Sequence, residues 1–305
     1  LEGLKIFIEE KGCLVNSLFN YPAGMTFFTT RERLEIGDLP LPSLNVKPNR
    51  AEAIEYYRCV AESYRLPIHF GERVNSVRRA DGRFTVETVD MWRQPRRYSA
   101  KAVILATGYY DLPNRLNAPG EDLPHVSHYY SDAHLFYRQK VVVIGAGNSA
   151  AVASLDLYRH GVQVNLIHRG QELSRHIKYW IKPDLANRIK EKSITAYFGC
   201  EVKEIAQDHV CIQRASDEAL RVEASHVFAL TGYHPDFDLI RAAGVELDPV
   251  TLRPRCSPET LESNVAGLYL AGVIIAGRST NEIFIENGRF HGKQIIADLK
   301  RKIGR

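Results

Sequence analysis

VVVIGAGNSAAVASLDLYRHGVQVNLIHRG, residues Val141–Gly170, is the stretch whose reading decides the fold. Val141 to Ile144 are four consecutive β-branched apolar residues, the pattern of a short buried strand. They run directly into Gly145, Ala146, Gly147, Asn148, Ser149 and Ala150, a G-x-G-x-x-A turn. An alanine-rich helical segment follows, stops at Gly161, and gives way to a second apolar run, Val162 to Ile167. Strand, glycine turn, helix and strand in that order are the context in which such a turn binds a dinucleotide. Gly145 permits the tight turn, Gly147 lets the backbone approach a pyrophosphate, and Ala150 allows close helix–strand contact. The helix start offers N–H groups and a partial positive charge to the phosphates.

The end of the second strand selects between coenzymes. NAD sites place Asp or Glu there for the ribose 2′-OH, about 20 residues after the motif begins. Here His168 lies 23 residues after Gly145 and is followed by Arg169, with Arg175 and Lys178 close behind. A carboxylate would repel a 2′-phosphate, whereas a guanidinium binds it through paired hydrogen bonds. The stretch predicts NADPH; the plain alternative is a solvated basic loop.

The full length of 305 residues suggests about two domains. Hydrophobic residues at 45% and charged residues at 25% give a globular chain ample core material. No apolar run approaches the ~20 residues of a membrane helix. A formal charge of +4 without a long basic block offers no nucleic-acid groove. Neither a membrane nor a nucleic acid is therefore an expected partner. Cys13, Cys59, Cys200, Cys211 and Cys256 are scattered without a C-x-x-C pair, which fits reduced thiols in the cytoplasm.

Leu1-Glu2-Gly3 reads as the end of a helix, and Leu4 to Ile8 as a strand ending in Glu9, Glu10, Lys11 and Gly12. This is the second half of another βαβ unit, whose first strand and glycine turn are expected in a segment of about 25 residues before Leu1. Glu10 is the candidate for a ribose hydroxyl; an exposed acidic strand end is the alternative. A helix is predicted over Arg50–Tyr64, capped by Asn49, with Ile54, Tyr57, Val60, Ala61 and Tyr64 on its core face. β structure follows from Ile68 to Val89, with a hairpin at Asp81-Gly82. Ala102–Ala106 is a strand ending in Thr107-Gly108-Tyr109, and Val227–Leu230 is one ending in Thr231-Gly232-Tyr233. A small residue and a glycine at a strand's carboxyl end let a cofactor approach the backbone. Further elements are a helix over Lys178–Lys192 interrupted near Pro183, strands at Glu201–Ile205, Val210–Gln213 and Leu268–Ala271, and a final helix over Thr280–Lys300. That last helix would carry Ile283, Phe284, Asn287, Phe290 and Ile295 near one face.

Taken together these segments resemble the two-dinucleotide flavoprotein reductases, the superfamily of thioredoxin reductases. NYP (20–22), ILATGYY (104–110), VVVIGAGNSA (141–150), LTGYHPD (230–236) and YLAGVIIAG (269–277) fall in that family's order and span nearly the whole chain. EKG (10–12), IGDLP (36–40), the Ile177–Pro183 stretch and IFIENGRFHG (283–292) are particularly similar to its bacillithiol-disulfide reductase (YpdA-like) group. The resemblance implies an α/β fold of two Rossmann-like three-layer ββα nucleotide-binding domains. An NADPH domain, residues 118–244, would be inserted into a discontinuous FAD domain made of residues 1–117 and 245–305. FAD contacts would fall on Glu10, Lys11, Asn20, Val74 (through its backbone), Thr107, Gly108 and Gly272. NADPH contacts would fall on Gly145, Gly147, Asn148, Ser149, Ala150, His168, Arg169 and Gly232.

Three departures from the superfamily pattern bear on function. The N-terminal G-x-G-x-x-G lies outside the sequence; in the YpdA-like group that segment also carries a cysteine beside the flavin. The dithiol of thioredoxin reductases is replaced by Tyr129 and Asp132, and thiol–disulfide exchange requires a thiolate. Val273 stands where most of the superfamily has an aspartate, a departure the YpdA-like group shares. The resemblance implies an NADPH-dependent flavoprotein reductase of a small-molecule disulfide, bacillithiol disulfide by group, working as a homo-oligomer. The competing readings are a flavin monooxygenase and a nucleotide-binding redox sensor. The first rests on Gly120–His125, loosely similar to an F-x-G-x-x-x-H motif, but Ala118 replaces the Phe and the histidine is one residue too distant. His125, His128, His134 and His291 fit no tetrahedral zinc spacing, so no metal is expected. Only His291, beside the expected flavin edge, is a catalytic candidate.

Overall fold

The protein is described by a computed structural model covering residues 6–214, 216 and 218–303. The expected helix end at Leu1–Gly3 lies outside the described residues. The chain forms two compact units: the described parts of Leu1–Asn20, Gly24–Leu112 and Tyr233–Arg305, and Tyr21–Ala23 with Pro113–Gly232. Both principal crossings lie N-terminal to the boundaries expected after residues 117 and 244.

The first unit opens with β1 (Ile8–Glu10), α1 (Asn16–Phe19) and α2 (Arg50–Ser63), then β2 (Ile68–Phe70), which pairs in parallel with β1. Asn49 caps α2 as expected: its side chain accepts from Glu52 N–H at 2.9 Å, and Glu52 accepts from Asn49 N–H at 2.8 Å. Such a reciprocal cap is worth about 1 kcal/mol. The buried face differs from the expected stripe. Ala53, Tyr56, Tyr57 and Val60 are buried while Tyr64 is exposed. Two tyrosine hydroxyls explain the rotation. Tyr56 accepts from Ile36 N–H and donates to Leu39 C=O, both at 2.8 Å, and Tyr57 donates to Leu34 C=O at 2.9 Å.

β3 (Glu72–Ala80), β4 (Arg83–Asp90) and β5 (Pro95–Ala100) form an antiparallel sheet, followed by β6 (Val103–Leu105). Asp81 and Gly82, with φ of 50° and 74°, make the tight hairpin turn that the sequence predicts. Nothing in the sequence marks β5, because PRRYSA carries no apolar alternation.

In the second unit come β7 (Val126–Ser127), β8 (Lys140–Ile144), α3 (Asn148–Arg159), β9 (Gln163–His168), α4 (Lys182–Lys190) and β10 (Thr195–Phe198). β11 (Cys200–Ile205), β12 (His209–Arg214), β13 (Ala219–Glu223) and β14 (His226–Ala229) complete it. Five strands form a parallel sheet in the order β10-β9-β8-β14-β7, and β11-β12-β13 form a separate antiparallel sheet. Val141, Val142 and Val143 of the central strand are fully buried, which is why the strand reads as a continuous apolar run. α4 starts at Lys182 rather than at Lys178, because Pro183 is accommodated only in a first turn.

The chain returns to the first unit through α5 (Phe237–Ala242), β15 (Leu268–Leu270), α6 (Ile285–Gly288) and α7 (His291–Ile303). α5 belongs here because Phe237 and Ile240 share a core with Val77 and Phe84. The expected single helix over 280–300 is two. The first starts at Ile285, where the Asn287 side chain caps it, accepting from Phe284 N–H at 2.8 Å and donating to Glu282 C=O at 2.9 Å, and the second starts at His291. Phe284 and Phe290 are exposed, and Ile295 and Leu299 pack instead with Leu261 and Tyr269.

α7 is fastened by buried Asp298, which accepts from Tyr269 Oη at 2.7 Å and pairs with Lys302 Nζ at 2.7 Å. Hydrogen bonding from Lys302, then from Tyr269, lowers its pKa from the ordinary 3.8 to about 2. The folded state binds this proton less tightly than the unfolded chain, so the stabilisation is present above pH ~4 and is lost as pH falls towards 2. Asp298→Asn should cost about 2 kcal/mol at pH 7. Urea unfolding should show the difference between wild type and variant shrinking from pH ~4 and nearly gone by pH ~2; a pH-independent difference would count against this linkage.

Candidate functional site

The glycine turn joins β8 to α3 in the second unit. Gly145 has φ of 128°, its N–H donates to Ile167 C=O at 2.9 Å, and a Cβ would fall 2.4 Å from the Leu230 carbonyl oxygen. No other residue fits there. Gly147 is different: it precedes α3 in extended conformation, and a Cβ would meet nothing within 4 Å. Ala150 is completely buried, with its methyl 3.5 Å from the position of a Cβ on Gly145. The first N–H groups of the twelve-residue α3, through Ser149 and Ala150, therefore face the space beyond Gly147 without a side-chain cap. This geometry suits a pyrophosphate. Asn148 places its side chain elsewhere, on the backbone of His176 and Lys178.

His168 ends β9 half-buried and Arg169 follows it exposed. Burial, then the Arg169 charge, lowers the His168 pKa below its ordinary range, so the imidazole is neutral at pH 7. Gly232, with φ of 90°, accepts from Asn114 N–H at 2.9 Å, while the Asn114 side chain donates to Thr231 C=O at 3.2 Å. Nearby histidines serve the chain: His125 Nε2 lies 3.0 Å from Ala206 C=O, and His128 lies 3.2 Å from buried Glu121. Tyr129 and Asp132 sit in local turns: Tyr129 N–H donates to Ser127 Oγ at 3.0 Å, and Asp132 accepts from His134 N–H at 2.8 Å.

The first unit presents a second constellation. Parallel β6 and β15 are in register at Leu105 and Leu270, and each leads to a left-handed glycine, Gly108 (φ 70°) and Gly272 (φ 75°). A Cβ on either would meet nothing within 4 Å. Thr107 is exposed at the same strand end. His291, 8% exposed, accepts the Gly272 N–H on Nδ1 at 3.0 Å, and burial lowers its pKa. An acceptor Nδ1 leaves the ring proton on Nε2.

Glu10 ends β1 and accepts from Gly12 N–H at 2.8 Å, while Lys11 pairs with Asp111 at 2.8 Å. Lys11, Gly12 and Asn16 line a cleft of about 500 Å³ together with Arg73, Asn75 and Asp90. Half-buried Val74 lies at a bulge in β3, between the two cleft residues. Asn20 C=O accepts from Tyr110 Oη at 3.3 Å, which ties it to the segment after Gly108. Sequence reasoning missed Asp111, Arg73 and Asn75, since nothing local marks a partner 100 residues away. It also missed Glu9, His69 and Glu72, whose ligand atoms lie within 4.8 Å of one another. Glu72 there accepts from Tyr98 Oη at 2.7 Å and lies 3.8 Å from Arg96, so the protein itself meets its charge.

Residues 2–272 match the family described as pyridine nucleotide-disulphide oxidoreductase. The chain is 41% identical over 301 residues to bacilliredoxin reductase Bdr of Bacillus subtilis, covering 98% of this chain and 91% of that relative. Among solved structures it is similar to bacillithiol disulfide reductase Bdr (YpdA) from Bacillus cereus, with a TM-score of 0.96 and 41% identity over 98% of this chain and 92% of that one. The corresponding Staphylococcus aureus structure gives a TM-score of 0.92 at 37% identity, over 99% and 92% of the two chains.

The two turn glycines should respond differently to alanine. Gly145→Ala strains the backbone and should cost roughly 1–3 kcal/mol of stability. Gly147→Ala should leave thermal unfolding nearly unchanged yet weaken NADP⁺ binding about tenfold or more, since it blocks backbone approach. Calorimetry and titration on both variants separate the two effects.

Proposed function

The chain belongs to the pyridine nucleotide-disulphide oxidoreductase family, and on that premise we propose that it is an NADPH-dependent, FAD-containing reductase of a low-molecular-weight disulfide, bacillithiol disulfide. The observation that carries this reading is near-full-length likeness, 41% identity with a TM-score of 0.96, to a bacillithiol disulfide reductase. The discontinuous first unit is the FAD domain, and the inserted second unit is the NADPH domain. Five free cysteines support a reducing, cytoplasmic setting. Among the described residues, no helix is long and apolar enough to cross a membrane.

The residues fit both nucleotides. When bound, NADPH supplies a hydride and FAD transfers the resulting electron pair to a disulfide. Around NADPH, the backbone from Gly145 to Ala150 holds the pyrophosphate and Gly232 leaves room at the neighbouring strand end. Arg169 supplies the charge for the 2′-phosphate, and His168 adds an uncharged hydrogen-bonding group. Around FAD, Glu10 takes a ribose hydroxyl, Lys11, Asn20 and the Val74 backbone flank the adenosine half, and Thr107, Gly108 and Gly272 admit the flavin half. His291 holds the Gly272 N–H on Nδ1, a positioning role that leaves its Nε2–H as the ring's donor.

Two measurements test this reading. NADPH oxidation by the FAD-loaded full-length enzyme should depend on bacillithiol disulfide and release two thiols per NADPH. Oxidation that follows oxygen consumption without thiol release would overturn it. Arg169→Ala should raise KM for NADPH about tenfold to a hundredfold while changing KM for NADH little, because a charge-assisted contact is worth roughly 1.5–3 kcal/mol. Equal effects on the two coenzymes would remove the 2′-phosphate assignment.

A further inference from the structure

Both polar atoms of the Asn148 side chain are engaged by the chain itself. Nδ2 donates to the His176 carbonyl at 3.2 Å, and Oδ1 accepts from the Lys178 N–H at 2.8 Å. A primary amide carries a donor and an acceptor in one plane, as a peptide group does, so it can pair with both groups of a neighbouring strand-like segment. The segment it grips is also anchored by apolar side chains, in the core that holds Ala150 and Ala151 of α3. Leu173 and Ile177 are buried, whereas Arg175, His176 and Tyr179 are exposed. Within it, the Ser174 hydroxyl accepts from His176 N–H at 3.2 Å, and Ile177 N–H donates to Ser174 C=O at 3.3 Å. These bonds shape the turn, and Asn148, the first residue of α3, adds a polar tie between the segment's backbone and that helix.

The consequence concerns charge placement. The segment leaves β9 just after Arg169 and carries two basic residues, Arg175 and Lys178. Hydrogen bonds of this length bring its backbone against the helix start, where phosphates bind most favourably. We propose that Asn148 is a positioning residue whose amide clasps the 174–180 segment to the start of α3 and so sets Arg175 and Lys178 beside the 2′-phosphate of the coenzyme. This rests on the NADPH reading above. It gives the variable residue of the glycine turn a role separate from the pyrophosphate: the backbone binds one phosphate group, and the side chain arranges the segment that reads the other. Without the clasp, the N–H groups of Ser149 and Ala150 keep their places, so a 5′-phosphate loses nothing.

The test uses the FAD-loaded full-length protein and two small probes, 2′,5′-ADP and 5′-AMP, titrated calorimetrically. Wild type should bind 2′,5′-ADP more tightly. Asn148→Ala should weaken 2′,5′-ADP about tenfold more than it weakens 5′-AMP. Trypsin should cut after Arg175 and Lys178 faster in this variant. Asn148→Asp keeps the shape and the acceptor but loses the donor; its added charge acts on both probes, so the ratio of the two affinities is the readout and should fall. In an Arg175→Ala/Lys178→Ala background, adding Asn148→Ala should change the 2′,5′-ADP affinity less than twofold. Equal losses for both probes, or additive effects in that background, would overturn the clasp while leaving the NADPH reading standing. A wild type that does not distinguish the probes would overturn both.

Discussion

A methyl group on Gly145 would sit 2.4 Å from the carbonyl oxygen of Leu230. That clearance is the constraint on which the second unit depends. β8 lies between β9 and β14, so its chain must leave the sheet between two occupied neighbours. It does so while Gly145 N–H still bonds Ile167 and Leu230 N–H still bonds Ile144 C=O, each at 2.9 Å. Only a residue without a side chain can turn inside that spacing. Once it has turned, α3 starts beside the strand's carboxyl end, packs Ala150, Ala151 and Ala153 against the sheet, and aims its dipole outward.

The glycines of the two candidate sites divide into two kinds. Gly145 is demanded by the chain, because its absent Cβ would collide with protein. At Gly147, Gly108 and Gly272 a Cβ would meet nothing within 4 Å. Gly108 and Gly272 are partly explained by positive φ, and Gly147 by neither strain nor packing. An open, side-chain-free surface at the carboxyl ends of parallel strands is what close backbone approach of a nucleotide needs. The polar groups around these openings are prepared rather than charged. His168 and His291 are both shifted towards the neutral imidazole by burial, leaving permanent charge to the exposed Arg169.

The first unit faces a different difficulty, since its two halves are separated by the whole inserted segment. Loop-closure entropy rises only slowly with length, so a modest set of contacts suffices to join them. β15 pairs with β6 across that gap, and Tyr269 and Leu261 bury α7 through Ile295 and Leu299. Arg289 adds a polar seam, its guanidinium donating to the carbonyls of Glu32 and Glu35 at 2.8 and 2.7 Å. Buried Asp298 fixes the end of the helix against the same strand.

Features governed by neighbours in the chain were legible from the residues alone. The β8–α3–β9 unit, the Asn49 cap and the Asp81-Gly82 hairpin each depend on side chains a few positions apart, where periodicity and backbone preference act directly. So does the repeat of Thr-Gly-Tyr, which the structure renders as two strand ends with left-handed glycines at 108 and 232. What the sequence could not decide was any choice made by a distant partner. α2 turns Tyr56 inward and Tyr64 outward because the 34–39 segment offers backbone groups to the tyrosine hydroxyls. β5 exists because β4 is there to pair with it, and helix begins only at Ile285, where Asn287 caps it by bonding back to Glu282 and Phe284. Lys11 with Asp111, Gly272 with His291 and Asn148 with the 176–178 backbone are of the same kind. Local pattern specifies which groups need partners; only the closed tertiary structure brings a particular donor within hydrogen-bond distance of a particular acceptor.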